Sequence, residues 1–209
     1  MVAFTPTTTP AIIAELDFLN VMTYDLMNRR DAVTKHHTGI ELSRSSIVAY
    51  LDRGAPAAKL NLGFAFYVKW FQTAQCPDPR SPLGCPTLLL EDPETGDDLG
   101  RCGAASWHDI YNHGMSGEVL PSYKRSVEHG SYDSTDGSYY YWDEVEKLWW
   151  TYDTPAVFAT KIRGIVQPLS LGGVFAWGLG EDAQEFAHLR AVNDQLDVIA
   201  REQQVRDEL

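Results

Sequence analysis

Short apolar runs alternate with amphipathic stretches at both ends of the 209-residue chain. Three of the runs are rich in strand formers and too short for helices, so each predicts a buried β-strand. They are DFLNVMTYD (17–25), AKLNLGFAFYVKWF (58–71) and LGGVFAWGLG (171–180). Four other stretches repeat apolar residues every three or four positions, which is typical of helices. These are PAIIAEL, SRSSIVAYLDRGAP, TPAVFATKIRGIVQP and the long C-terminal segment that begins at Asp182.

Local signals predict the ends of two of these helices. Ser45 or Ser46 is a candidate N-cap for the helix in IVAYLDR, because a hydroxyl can accept a hydrogen bond from a free N–H of the first turn. Gly54 is placed to end that helix. Thr154 is the capping candidate of the later helix, with Pro155 in its first turn.

The middle of the chain differs from both ends in composition and periodicity. Gly, Pro, Asp and Ser dominate from Cys76 to about Leu120, and the periodicity is weak. ASWHDIYNHG predicts a short helix, and GSYYYWDEVEKLWWTYDTP predicts two short antiparallel strands. We therefore predict a small α+β insertion at 76–148, a flexible N-terminus at 1–13, and two α/β parts at 14–75 and 149–209.

The order strand, helix, strand, insertion, helix, strand, helix predicts parallel strands with crossover helices, as in an open α/β sheet or a barrel. Polar or aromatic residues stand where each strand ends. Tyr24 and Asp25 end the first strand, Tyr67 and Lys69 the second, and Trp177 the third. Because ligand sites of parallel α/β proteins form at the carboxyl ends of strands, these five residues are candidates for one site.

Composition narrows the ligand class. The formal net charge is −12, which disfavours nucleic acid as a partner. Six Trp and ten Tyr in an acidic chain suit a neutral, hydroxyl-rich ligand such as a sugar, although core packing is the ordinary role of aromatic residues. No apolar run of 18 residues predicts a membrane span. The N-terminus does not resemble a signal peptide, so we expect an intracellular protein or a missing true N-terminus.

The cysteines and histidines indicate no metal or cofactor. Cys76 and Cys85 bracket PDPRSPLG, so one disulfide with Cys102 left over and three free thiols both remain open. No zinc spacing is present. The adjacent His36 and His37 point in different directions and are expected in a solvated loop. The acidic cluster at 133–136 is expected to form a turn and lacks the ligand series of a calcium loop.

Four ordered segments carry a family resemblance: LDFLNVMTYDL, KLNLGFAFYVKWF, WWTYDTPAVFATKIRGI and LGGVFAWGLGEDAQ. They resemble glycoside hydrolase family 18, the class V chitinases, and most of all its large fungal members related to killer-toxin subunits. The resemblance implies the last three strands of a TIM (β/α)8 barrel, with strands six and seven in 14–75 and strand eight in 149–209. It places the α+β insertion after the second of these strands.

The resemblance also implies a role for each candidate residue in retaining, substrate-assisted hydrolysis of β-1,4 N-acetylglucosamine linkages. Tyr24 would donate its hydroxyl to the acetamido group, and Asp25 would hydrogen-bond the reacting sugar. Tyr67 would contact that sugar, and Trp177 would be the platform beneath it. Lys69 stands where the family usually has arginine and lacks its fork geometry.

Met22 is implied as the floor of the sugar subsite, with simple core packing an equal alternative. Tyr152 and Asp153 match a further segment of the family and are expected to be structural. The family's acid/base glutamate ends an Asp-Gly-x-x-x-Asp-x-Asp-x-Glu pattern, and that pattern does not occur in the sequence.

Two functions therefore stay open at this point. One is a truncated chitinase-like protein that is inactive alone, including a fragment of a longer active chitinase from a misplaced gene start. The other is a non-catalytic protein that binds chitin or chito-oligosaccharide. Three parallel strands leave two open edges, which predicts a homodimer or another association through those edges. Relatives of this family are usually secreted, whereas this chain shows no export signal, so localisation stays undetermined.

Overall fold

A computed structural model describes residues 3–109 and 119–208. Its helices are α1 (Thr9–Ala14), α2 (Ile40–Leu51), α3 (Leu120–His129), α4 (Pro155–Lys161) and α5 (Ala187–Asp207). Its strands are β1 (Leu19–Val21), β2 (Leu60–Ala65), β3 (Tyr67–Gln72), β4 (Cys102–Ser106), β5 (Ser131–Asp133), β6 (Ser138–Asp143), β7 (Leu148–Tyr152) and β8 (Gly173–Trp177). None of the helices in these ranges is long and apolar enough to cross a membrane.

The three predicted strands form one parallel sheet in the order β1-β2-β8. Leu19 pairs with Leu60 on one side of β2, and Leu62 pairs with Val174 on the other. In the part of the chain that the structure describes, β1 and β8 each pair with β2 alone, so the sheet is open at both edges. The fold is thus an open α/β sheet and not a closed barrel.

The helices cover one face of this sheet. Alternating side chains along β2 are fully buried against them, because successive residues of a strand point to opposite faces. Leu60, Leu62 and Phe64 belong to a core that includes Phe158 of α4 and Val192 of α5. This buried apolar area provides the main stabilisation of the α/β part.

The other face of the parallel sheet carries small and polar residues of β1 and β2 beside the Phe175 ring of β8. Asn61 of β2 donates its side-chain amide to Asn20 of β1 across 2.9 Å. A Cβ on Gly63 would lie 2.9 Å from the ring of Phe175 and 2.8 Å from the carbonyl oxygen of Val21, so only glycine fits there. Gly63 therefore lets the Phe175 ring lie close over this face of the sheet.

A second sheet is antiparallel and has the order β4-β3-β7-β6-β5. Its strands alternate side chains between two buried faces. One face carries a cluster with Phe71, Trp142 and Trp149. The other packs Val68 and Trp150 with residues that include Tyr123 of α3. The predicted α+β insertion is therefore seen, and its sheet runs from β3 to β7, beyond the expected range of 76–148 on both sides.

The structure decides between the two states left open for the cysteines, in favour of one bridge. Cys76 and Cys85 are joined, with their Cα atoms 5.2 Å apart, while Cys102 is a free, half-buried thiol. Both bridged cysteines are buried in the cluster around Trp149. The bridge therefore closes the loop between β3 and β4 against one face of the second sheet.

Two predictions about local structure are wrong. The run AKLNLGFAFYVKWF is not one strand, because it leaves the parallel sheet at Phe66 and continues as β3 in the second sheet. The helix expected to begin at Ser45 or Ser46 begins at Ile40 instead. Ser46 lies inside that helix and donates its hydroxyl to the carbonyl oxygen of Leu42, one turn back. Its hydroxyl is therefore used within the helix and does not cap it.

The other predicted elements have mixed outcomes. The hairpin in GSYYYWDEVEKLWWTYDTP is present as β6 and β7. Thr154 occupies the N-cap position of α4, but its hydroxyl makes no capping hydrogen bond. The acidic cluster at 133–136 is a turn, as expected, and Gly137 completes it at φ +60°. Half of the helix predicted in ASWHDIYNHG, 110–114, lies outside the described residues, and Ala105 and Ser106 belong to β4.

A buried polar network joins the second sheet to helix α4, which covers the parallel sheet. Asp153, directly after β7, forms an ion pair with Lys161 of α4, and both side chains are almost fully buried. The hydroxyls of Thr38 and Ser138 donate to Asp153 Oδ1, each across 3.0 Å. Lys161 also donates to the carbonyl oxygen of Thr38. The structural role expected for Asp153 is thus seen, and the network fixes the loop before α2 to the second sheet and to α4.

Candidate functional site

The carboxyl ends of β1, β2 and β8 lie together at one end of the parallel sheet. We call this end the C-terminal edge, which is distinct from the open side edges along β1 and β8. At the C-terminal edge β2 continues into the second sheet. Tyr24 and Asp25 follow β1 at this edge. Tyr67 and Lys69 belong to β3, directly after the break at Phe66. Trp177 ends β8 and pairs with Ala65 of β2. The candidate residues therefore lie along one edge, as the strand order predicts.

Four of them form one contacting cluster. Tyr67 donates its hydroxyl to Asp25 Oδ1 across 2.8 Å, and Lys69 Nζ lies 3.3 Å from the same oxygen. The Tyr24 ring meets the Tyr67 ring edge-on, with centroids 6.1 Å apart. Asp25 adopts a left-handed backbone at φ +55°, and about half of its side chain is exposed. The cluster thus offers a carboxylate to a ligand while its tyrosine rings stay buried.

Burial and charge fix the protonation of this cluster. Burial and the charge of Asp25 both raise the pKa of Tyr67 far above its usual range, so its hydroxyl keeps the proton. Burial alone would raise the pKa of Asp25, but the nearby His37 imidazole, the charge of Lys69 and the hydrogen bond from Tyr67 hold it well below its ordinary value. Asp25 is therefore an anion and Tyr67 a donor at neutral pH.

Trp177 and Met22 lie at the same edge and face solvent. Of the six tryptophans, all within the described residues, Trp177 alone is exposed, with 60% of its surface accessible. The peptide bond from Trp177 to Gly178 is cis. Met22 is 68% exposed, which removes core packing as the reason for a methionine at this position. Both side chains are available to a ligand, whereas Tyr24 and Tyr67 are mostly covered.

The prediction of a solvated loop for the two adjacent histidines is wrong. His36 and His37 are both fully buried. His36 contacts Asp133 and Thr151, away from the candidate site. The His37 ring lies 5.5 Å from the Tyr67 ring, and its Nδ1 lies 3.8 Å from Asp25 Oδ1. His37 is therefore part of the site, and no sequence signal indicated it.

Two more residues of the site were not predicted from the sequence. Phe175 packs edge-on against Tyr24, with centroids 6.1 Å apart. It lies two residues before Trp177, so the period of a strand could have placed both on one face. Glu181 follows β8, and one of its carboxyl oxygens is buried without a partner among the described residues. Burial and the charges of Asp109 and Asp25 raise the pKa of Glu181.

A cavity of about 310 Å³ continues from the cluster at Lys69. Its lining is mainly polar and comprises Asn28, Arg29, Arg30, Lys69, Asp98, Cys102 and Gly103. Arg29 and Arg30 both bind Glu91, so this loop is fixed to the segment after the disulfide. Within residues 3–109 and 119–208, no three His, Cys, Asp or Glu side chains are grouped to hold a metal ion. The site thus combines charged and polar contacts with exposed aromatic surface.

The fold has clear relatives among solved structures. A family 18 chitinase from Cycas revoluta in complex with (GlcNAc)3 matches with a TM-score of 0.64 at 21% identity, over 90% of this chain and 49% of that one. A chitinase-like agglutinin from Robinia pseudoacacia matches with a TM-score of 0.60 at 25% identity, over 88% of this chain and 49% of the agglutinin. This chain therefore spans about half of each structure.

Sequence comparison points to the same relatives. Nod factor hydrolase protein 1 of Medicago truncatula is 27% identical over 184 residues, which cover 84% of this chain and 42% of that protein. The chain thus spans less than half the length of this curated relative. The sequence model of Glycosyl hydrolases family 18 matches residues 4–182, most of the chain. The chain therefore belongs to glycosyl hydrolase family 18, and its parallel strands form an open part of the TIM barrel of that family.

Proposed function

We propose that the chain binds chito-oligosaccharide at the edge formed by β1, β2 and β8, and that alone it does not cleave the sugar. The single observation that carries this proposal is the exposed indole of Trp177 on the same edge as the Asp25 carboxylate. An indole face packs well on the C–H face of a pyranose, and a carboxylate accepts hydrogen bonds from sugar hydroxyls or an amide N–H. This combination suits a neutral sugar better than a charged ligand.

The remaining site residues have roles consistent with an N-acetylated sugar. We assign Tyr24 to the acetamido side, where a protonated phenol can donate to a carbonyl oxygen. Tyr67 contacts the sugar while its hydroxyl holds Asp25. Met22 supplies exposed apolar surface beside them. Lys69 holds Asp25 through charge, in place of the arginine that the family usually has. Trp177 is the platform under the ring.

Catalysis by the chain alone is not expected, because the motif that carries the family's acid/base glutamate does not occur in the sequence. Without a general acid the leaving oxygen departs as an alkoxide, which costs about a hundred- to ten-thousand-fold in rate. A relative with this fold is itself named an agglutinin, which is a binding activity. Binding without hydrolysis is therefore the function that the site supports best.

The test is a titration of the chain with chitotriose, followed by calorimetry and by tryptophan fluorescence. We expect binding with a blue shift, because Trp177 is the exposed tryptophan and a sugar would shield it from water. Trp177→Ala should weaken binding about tenfold or more, the factor that about 1.4 kcal/mol represents. Tyr132→Ala is the matched control, since Tyr132 is an exposed aromatic of β5 away from this edge. Absence of binding by the wild-type chain would refute the proposal.

A second candidate is hydrolysis with a proton donor supplied from outside this chain. The arrangement of Tyr24, Asp25 and Tyr67 favours it, because these side chains would orient the acetamido group for attack whether or not an acid is present. An assay on a fluorogenic chitotrioside tests for cleavage by the chain alone. We expect no turnover above a buffer blank from the chain alone. Turnover that survives purification and is lost in Asp25→Asn would establish catalysis instead.

We also propose that the open edges of the parallel sheet associate with a second copy of the chain. β1 and β8 each leave one side without a partner in the described part of the chain, and free strand edges are templates for pairing. Sedimentation velocity at several concentrations tests this. A dimer that a proline in β8, Val174→Pro, disrupts would support edge pairing. A monomer at all concentrations would contradict it.

A further inference from the structure

His37 is held in a fixed position by the residues on both sides of it. Its backbone N–H donates to Thr151 Oγ1 across 3.3 Å, and its carbonyl oxygen accepts a hydrogen bond from the N–H of Leu26 across 3.0 Å. The next residue, Thr38, is bound by Lys161 and by Asp153 in the network that joins the second sheet to α4. The imidazole therefore has little freedom to leave its place beside Asp25.

Three side chains converge on one oxygen of Asp25. Tyr67 Oη lies 2.8 Å from Asp25 Oδ1, Lys69 Nζ lies 3.3 Å away and His37 Nδ1 lies 3.8 Å away. Among the described residues, no side chain donates to the other oxygen, Oδ2. Half of the Asp25 side chain is exposed. Contacts at Oδ1 thus leave Oδ2 free to accept a hydrogen bond from a ligand.

The surroundings of His37 decide where its proton lies. The charged or titratable groups that face it are Asp25, Tyr67 and Lys69 at the site, Asp153 after β7, and His36 on its own loop. Burial lowers the pKa of His37, so the ring is neutral and carries one proton. A proton on Nε2 would be a buried donor without a partner, and the Nδ1 lone pair would face an anion. Neither ring nitrogen has a hydrogen-bond partner among the described residues, but a proton on Nδ1 faces the Asp25 carboxylate at 3.8 Å.

We propose that His37 is a positioning residue of the sugar site. As a neutral imidazole protonated at Nδ1, it is the third donor directed at Asp25 Oδ1, and it thereby turns Oδ2 toward a ligand donor such as a sugar hydroxyl or an amide N–H. The role in ligand binding rests on the proposed function, whereas the tautomer does not. The 3.8 Å between Nδ1 and Asp25 Oδ1 has to shorten by about 0.6 Å to reach the range of an N–H···O hydrogen bond.

The first experiment reads the tautomer directly. Long-range ¹H–¹⁵N correlation spectra of the wild-type chain at pH 7 should show His37 as the neutral Nδ1–H form. In Asp25→Gly that form should lose its dominance, because the acceptor is gone; glycine is chosen since residue 25 has a φ of +55°. A wild-type Nε2–H form, or a tautomer unchanged in Asp25→Gly, would overturn the proposal.

The second experiment compares two substitutions of His37 in chitotriose binding. His37→Asn keeps an N–H donor near the place of Nδ1, and we expect binding within about threefold of the wild type. His37→Leu removes the donor and should weaken binding about tenfold, as expected for a hydrogen bond to a charged group. His36→Asn is the matched control, because His36 is equally buried and contacts Asp133 instead of the site.

The two experiments separate the possible failures. If the wild type does not bind chitotriose, the proposed function fails, and the tautomer spectra still decide whether His37 holds Asp25. If both His37 variants bind equally well, the positioning role is refuted even where the sugar site exists. If the variants do not fold, the spectra of the wild type and of Asp25→Gly decide whether His37 donates to Asp25.

Discussion

The two sheets of this protein differ in how many of their faces are covered by other parts of the chain. The antiparallel sheet buries both faces, one against the disulfide-closed loop and one against α3. The parallel sheet buries one face under helices and leaves its other face and two edges uncovered. We call the antiparallel sheet the complete sheet because both of its faces are covered within the described residues, although its outer strands β4 and β5 also pair on one side only, whereas one face of the parallel sheet is open. All the candidate ligand contacts lie where the two sheets meet.

This difference shows why the site can be rigid although half of its scaffold is open. Asp25 follows a strand of the open sheet, but its partners Tyr67 and Lys69 belong to β3 of the complete sheet. The buried pair of Asp153 and Lys161 then ties the complete sheet to α4, which covers the open one. We expect the contacts at this junction to contribute more to stability than comparable surface contacts.

The largest effect should come from breaking the buried ion pair at the junction. Lys161→Met leaves Asp153 buried without its cation, which typically costs about 3–5 kcal/mol. Urea unfolding followed by fluorescence measures this loss. Arg163→Met is the control from the same segment, because the partner of Arg163, Glu202, is on the surface and such pairs contribute little. Equal losses in both variants would show that the two sheets do not depend on this pair.

A smaller effect should follow from opening the disulfide, and it should be confined to the complete sheet. Closing a loop of this length stabilises a fold by about 2–3 kcal/mol through the entropy of the unfolded chain. Reductant should lower the melting temperature of the wild type, while Cys102→Ser should melt like the wild type. Hydrogen exchange should report the loss of protection in β3 and β7 before β2. Uniform loss across both sheets would contradict the comparison.

The smallest effect should be a loss of stability at low pH. Burial lowers the pKa of His36 below its ordinary value of 6.5, so below that pH the unfolded chain binds a proton that the native chain does not. Stability is therefore fully present above pH 6.5 and is lost as the pH falls. The loss reaches at most about 1.4 kcal/mol at pH 5.5 for this one residue. His36→Asn should flatten the dependence by that amount, and an unchanged slope would mean that His36 titrates normally.

Strands and helices with strong local patterns could be predicted from the sequence. β1, β8, α4, α5 and the hairpin of β6 and β7 all lie inside the stretches that predicted them. The break at Phe66 could not be predicted, because an apolar run has the same residue pattern whether its residues belong to one sheet or to two. The start of α2 was missed because Gly39, which has no side chain to signal a cap, is the N-cap, and the candidate Ser46 makes its hydrogen bond inside the helix.

Site residues at the ends of strands were predicted from the sequence. His37, which comes from a loop, was missed. Tyr24, Asp25, Tyr67 and Lys69 are neighbours because parallel strands end at one edge. His37 was expected in solvent, as adjacent polar residues usually are. Its burial depends on Thr151 and Asp153, more than 100 positions away, and no local pattern reports such pairs.

The adjacent positions of β3 and β7 have a consequence for engineering. The chain leaves the α/β part along β3 and returns along β7, and the two are hydrogen-bonded neighbours from Lys69 and Thr151 to Gln72 and Leu148. Those last two positions are opposite residues of an antiparallel pair, with Cα atoms roughly 5 Å apart. The segment between them, 73–147, therefore begins and ends at neighbouring positions. A two-residue turn could replace it, or another segment with adjacent ends could be put in its place.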